Sequence, residues 1–142
     1  MQAQHAVQGE THAHRWRFLV AAILGLHGVI HVLGFLSTWQ MGAFTAVSAT
    51  PLYPSGLATG SPVVLVLGVL WLITMAAFLL AAIGVVLRVA WWKSVAVSAA
   101  CVSLVLCIAW WNSAWFGVLI DVAILLGVLI STWETRQKSA VK

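Results

Sequence analysis

Charge is scarce in this sequence. Seven Lys and Arg and three Asp and Glu make up 7% of 142 residues, whereas soluble domains are about 25% charged. That deficit excludes a soluble globular domain. Cysteine is limited to Cys101 and Cys107, six residues apart in one apolar run. On a helix they point to different sides, which excludes an intrachain disulfide between them. With Ser98 and Ser103 they read as small positions suited to close helix packing. All three prolines and the single tyrosine fall within residues 38–62, so no proline interrupts the apolar runs. There is no glycine-rich phosphate loop and no supporting constellation for nucleophilic hydrolysis. The basic residues are too few and too terminal for a nucleic-acid surface.

Apolar residues are abundant, at 63% of the chain with a mean hydropathy of +1.05. Apolar stretches long enough to cross ~30 Å of hydrocarbon occur near residues 18–37, 63–87, 94–110 and 114–132. The predicted fold is therefore all-α, a polytopic membrane protein with a four-transmembrane-helix bundle over residues 18–133. A flexible tail precedes it (1–17) and a short one follows (134–142). The first apolar run is long and follows a polar segment, unlike a cleavable signal peptide, and the A-x-A-like AVSA at 46–49 lies too far beyond it. No lipidation motif stands out.

The basic residues stand in three places: Arg15 and Arg17, Arg88 and Lys93, and Arg136, Lys138 and Lys142. In a chain that crosses four times these all fall on one side. The positive-inside bias then puts both termini in the cytoplasm, as for a multi-pass protein of a bacterial inner membrane. Tryptophan follows the same division. Trp16, Trp91, Trp92 and Trp133 fall at the cytoplasmic ends, and Trp39, Trp110, Trp111 and Trp115 at the outer ends, as interfacial belts do. Trp71 alone lies away from both.

The first residues, MQAQHAVQGETHAH, lack apolar periodicity. His5, His12 and His14 could hold a metal weakly there, but histidines in a flexible tail by default carry no structural role. The outer loop 38–62 is long and uncharged, as functional or mobile loops are. Ser61-Pro62 reads as an N-cap with proline at the first helical position. The WNSA segment (111–114) predicts a tight hairpin between spans three and four, with Asn112 or Ser113 as cap.

Polar residues at mid-span are the candidate site. At 1.5 Å per residue His27 lies roughly 14 Å and His31 roughly 20 Å from the cytoplasmic boundary, and Asp121 lies at a matching depth on span four. His27, His31 and Gly34 share one helix face, and Gly117 and Asp121 another. Small residues such as Gly28, Gly34 and Gly117 let helices approach closely. Thr74 is at mid-depth on a face with Trp71 and Phe78. An ionised aspartate at a helix centre costs about 2.5 to 3.5 kcal/mol, so Asp121 should be neutral or paired with a histidine.

Several chemistries remain open for this cluster. Histidines at i and i+4 with a carboxylate could ligate a metal through His27, His31 and Asp121. Haem would need a dimer or a partner subunit, because two histidines one turn apart face the same side. A His/Asp proton or small-molecule pathway is conceivable. The apolar surroundings of Trp71, Phe78 and Phe35 suit a hydrophobic ligand such as a quinone or lipid tail. On that reading His27, His31, Asp121, Trp71 and Thr74 bind the ligand, and the chain works within the lipid bilayer as a small subunit. It would act in a homo-oligomer or larger membrane complex rather than as an enzyme on its own. In the competing class, a structural or assembly protein, the polar cluster only sets helix packing.

HGVIHVLGF (27–35), SPVVLVLGVLWL (61–72) and WNSAWFGVLIDVAILL (111–126) together resemble a group of uncharacterised small four-helix bacterial membrane proteins. These carry an H-G-x-x-H-x-x-G-F motif in the first helix. The resemblance covers most of residues 18–130. It implies a four-helix membrane fold, marks His27, Gly28, His31, Gly34 and Phe35 as shared, and supplies no reaction. Members often have asparagine near the position of Asp121, which implies hydrogen bonding there. A looser likeness to four-helix quinone-linked DoxX-type proteins rests on architecture alone.

Overall fold

The computed structural model describes residues 2–41, 57–58 and 60–140, with side chains from residue 15 onward except 138 and 140. Most of the outer loop, including Pro51, Tyr53 and Pro54, and the side chains of His5, His12 and His14 lie outside the described residues. The described residues form four helices: α1 (Gln2–Thr38), α2 (Pro62–Leu87), α3 (Trp92–Ala109) and α4 (Trp111–Ala140). Each contains a segment long and apolar enough to cross a membrane, and in α1 that segment is Arg15–Thr38. The backbone of the polar N-terminal stretch continues α1, so the helix begins well before the apolar run.

Local chemistry fixes the ends. Ser61 caps α2 in an extended conformation, its hydroxyl accepting from the Val64 N–H, with Pro62 at the first helical position. The α2–α3 turn closes through Arg88, whose left-handed backbone (φ 60°) lets its N–H reach the Val85 carbonyl at 3.3 Å while Val89 N–H reaches Gly84 at 3.1 Å. Glycine is the usual occupant of that position. The α3–α4 turn is shorter than the sequence predicts. Only Trp110 separates the helices, so Asn112 and Ser113 lie inside the first turn of α4. The Ser113 hydroxyl donates to the Trp110 carbonyl instead of capping an N–H.

Consecutive helices pack closely, α1 on α2, α2 on α3 and α3 on α4, while α1 and α4 do not lie against each other along their length. Gly28 and Gly34 set the α1–α2 approach. A Cβ at Gly28 would stand 2.8 Å from Phe78 Cβ, and one at Gly34 would run into the Trp71 indole. The interior is layered. Leu24, Phe78, Ala81, Val85, Ala96, Ala99, Ala100 and Ile124 form an apolar cluster toward the basic end. Trp71, Leu106, Cys107 and Trp110 form a second toward the opposite end. Between them each helix contributes buried polar side chains: His27 and His31, Thr74, Ser103, and Asp121.

Trp110 departs from the belt role expected of it, being 3% exposed and T-shaped against Trp71 at 5.9 Å. The one-residue turn carries its ring inward. The cysteines do face different ways, Cys101 exposed and Cys107 buried.

Candidate functional site

The polar layer is a single hydrogen-bonded cluster from three helices. His27 Nε2 lies 2.8 Å from Asp121 Oδ1, Asp121 Oδ2 lies 2.6 Å from Ser103 Oγ, and Ser103 Oγ lies 2.7 Å from His31 Nε2. His31 Nδ1 lies 2.8 Å from the His27 carbonyl, which closes the circuit within α1. All four side chains are buried, Asp121 and Ser103 completely. Through His27 and Asp121 this cluster joins α1 to α4, the two helices that otherwise do not pack along their length.

Small residues make the approach possible. Ala96, Ala99, Ala100, Ser103 and Cys107 are the buried side of α3, and a Cβ at Gly117 would stand 2.6 Å from Cys107 Sγ and 4.0 Å from His27 Cε1. Phe78 is wedged beside both imidazoles, 4.9 Å from the His27 ring and 5.4 Å from the His31 ring. Trp71 lies 5.2 Å from His31 on the other side.

The protons can be counted from these partners. A carbonyl only accepts, so His31 Nδ1 carries a proton. The Ser103 hydroxyl has one proton and two close neighbours, which leaves two arrangements. In one, Ser103 donates to the Asp121 carboxylate and His31 Nε2 donates to Ser103, giving an imidazolium and a carboxylate. In the other, protonated Asp121 donates to Ser103, Ser103 donates to neutral His31 Nε2, and no charge is separated. The two differ by the shift of two protons along Asp121, Ser103 and His31. In both, His27 Nε2 is bonded to Asp121 Oδ1, and His27 Nδ1 makes no bond. That Nδ1 is buried without a partner, as are Trp71 Nε1 and Trp110 Nε1.

For the metal reading of His27, His31 and Asp121 the structure shows where their inward atoms go. Their inward atoms bond to one another, to Ser103 and to a carbonyl instead of converging on a common point. No group of three or more His, Cys, Asp or Glu side chains among the described residues is placed to hold a metal ion.

The structure brings together His27, His31, Asp121, Trp71, Gly34 and Gly117. Thr74 is buried in the same layer, but its hydroxyl donates to the Leu70 carbonyl of its own helix. Sequence reasoning assigned Ser103 to packing alone and missed it as the hub. The available signal was its place at helical spacing with Ala96, Ala99 and Ala100, on a face small enough for a neighbour's polar groups to reach.

Fold and site thus define, over the described residues, an all-helical arrangement of four helices, each long and apolar enough to span a membrane, around a buried His/Asp/Ser cluster. Comparison of the chain with family models, with curated proteins and with solved structures found no match.

Proposed function

We propose that this chain is a small integral membrane subunit, both termini cytoplasmic, whose polar layer binds a hydrophobic ligand bearing carbonyl or hydroxyl groups, quinone or lipid-like. The observation that carries this reading is that, of the four buried nitrogens without partners among the described residues, three lie in or beside the polar layer: His27 Nδ1 and the Trp71 and Trp110 indole donors. Buried polar groups are nearly always paired, so an unpaired set calls for a ligand or ordered water. The three lie along one file of touching rings, His27 to His31 at 4.8 Å, His31 to Trp71 at 5.2 Å and Trp71 to Trp110 at 5.9 Å. The surroundings are apolar, as a quinone ring or acyl ester requires.

A second reading has its own support. The bond from His27 to Asp121 ties α1 to α4, which is what a purely structural clasp would do.

The experiment is native mass spectrometry with solvent extraction and a visible spectrum on gently solubilised protein, wild type against a Trp71→Phe, Trp110→Phe double variant. That variant keeps the rings and removes the donors. A co-purifying molecule lost from a folded double variant supports the ligand reading. A clean, folded wild type leaves the cluster as a clasp. Reporters fused after Lys142 that report from outside the cell would overturn the orientation.

A further inference from the structure

A different region carries an inference independent of the ligand reading above. Toward the basic end, α1 and α4 part to leave a cavity of about 970 Å³, walled by Val20 and Ile23 of α1, Leu119, Ala123 and Val128 of α4, and Val85 of α2. The space is a half-open groove whose apolar walls include the exposed Ile23 and Leu119, and exposed apolar surface of this extent calls for a partner. Three cations, Arg17, Arg88 and Lys93, line it beside Trp16 and Trp92.

None of these cations is in an ion pair among the described residues. The contact of a histidine with a carboxylate, His27 with Asp121, lies far along the helices from this rim. Arg17 lies over the Phe18 ring at 6.0 Å and Lys93 over the Trp92 ring at 5.9 Å. Arg17 Nε is buried with no hydrogen-bond partner. Arg88 occupies a left-handed position (φ 60°) where glycine would be at ease. We propose that this cleft holds one acyl chain of an anionic phospholipid, with its phosphate bound by Arg17, Arg88 and Lys93. Apolar walls select a lipid over free phosphate, and the uncompensated positive rim selects an anionic headgroup over a zwitterionic one.

Gly127 makes the proposal testable. It lines the cleft, and a Cβ there meets nothing within 4 Å. Gly127→Phe therefore brings a ring to the cleft from a position where the Cβ is unobstructed and removes a helix-weakening glycine. Purified protein is titrated with phosphatidylglycerol and phosphatidylcholine of identical chains and read by native mass spectrometry, with monodispersity and helical circular dichroism as folding controls. Wild type is expected to retain phosphatidylglycerol preferentially. Removing charge by Arg17→Gln, Arg88→Gln and Lys93→Gln should lower that preference by roughly fivefold per side chain, with the single Arg88→Gln variant carrying the test if the triple variant does not fold. Gly127→Phe should lose retention of both lipids.

Equal retention of the two lipids by wild type overturns the proposal. So does unchanged retention in folded Gly127→Phe, which would place the lipid on the outer surface. Displacement by millimolar inorganic phosphate would mark a free-anion site, and a lipid-free dimer would mean that a second copy fills the cleft; either overturns it.

Discussion

The Nδ1 nitrogen of His31 lies 2.8 Å from the carbonyl of His27, one helical turn earlier. This contact does more than satisfy a nitrogen. It fixes the tautomer of His31, turns Nε2 toward Ser103, and so makes the Ser103 hydroxyl the point through which the two proton arrangements of the cluster exchange. The i, i+4 spacing of HGVIH is therefore a geometric requirement: one histidine supplies the backbone acceptor that orients the other.

Ser103→Ala is expected to be the most informative small change. It leaves Asp121 Oδ2 and His31 Nε2 buried and unpaired, at about 1 to 3 kcal/mol for each stranded group. Ser98→Ala, at an exposed position on the same helix, should stay within about 0.5 kcal/mol. Equilibrium unfolding in mixed micelles compares them, and equal stabilities would mean that the cluster contributes nothing to the fold.

Asp121→Asn should be far milder than Asp121→Ala. An asparagine oxygen can accept from His27 Nε2 while its amide donates to Ser103, reproducing the arrangement without separated charge. A cost of about 1 kcal/mol is expected for Asn and about 3 to 5 kcal/mol for Ala if an ion pair is broken. Should both variants unfold alike, the carboxylate charge itself is required.

Glycines one turn apart on α1 should respond in opposite directions. Gly28→Ala meets Phe78 Cβ at 2.8 Å and the Met75 carbonyl at 3.3 Å, so overpacking of about 1 to 3 kcal/mol is expected. Gly25→Ala meets only Ala82 Cβ at 4.0 Å and should gain about 0.5 to 1 kcal/mol through helix propensity. A thermal melt of each decides, and matching shifts would refute the close α1–α2 approach.

Thr74→Val tests whether burial in the polar layer implies membership of the cluster. The hydroxyl serves only the Leu70 carbonyl, so the variant should lose no more than about 1 kcal/mol and leave any co-purifying molecule in place. Loss of that molecule would return Thr74 to the binding site.

His27, His31 and Asp121 were legible in the sequence because an ionisable group in an apolar run is costly and must find a partner at its own depth. Ser103 was not, because a serine on an apolar helix can satisfy itself on its own backbone, as Thr74 does. Trp110 misled for a related reason. Position along the chain places a tryptophan near a helix end, but only the turn decides whether its ring faces in or out.

The sequence by itself determined the number of helices, their approximate limits and the grouping of basic residues at alternate connections, since hydropathy and charge add along the chain without knowledge of any contact. Tertiary structure alone decided which faces turn inward. These helices are apolar on nearly every side, so no hydrophobic periodicity distinguishes a core face from an outer one. What sets their rotation is the close fit at Gly28, Gly34 and Gly117 and the hydrogen bonds of the buried cluster. The apolar cleft lined by α1 and α4 toward the basic end is likewise a product of that packing, since no pattern along the chain marks its walls.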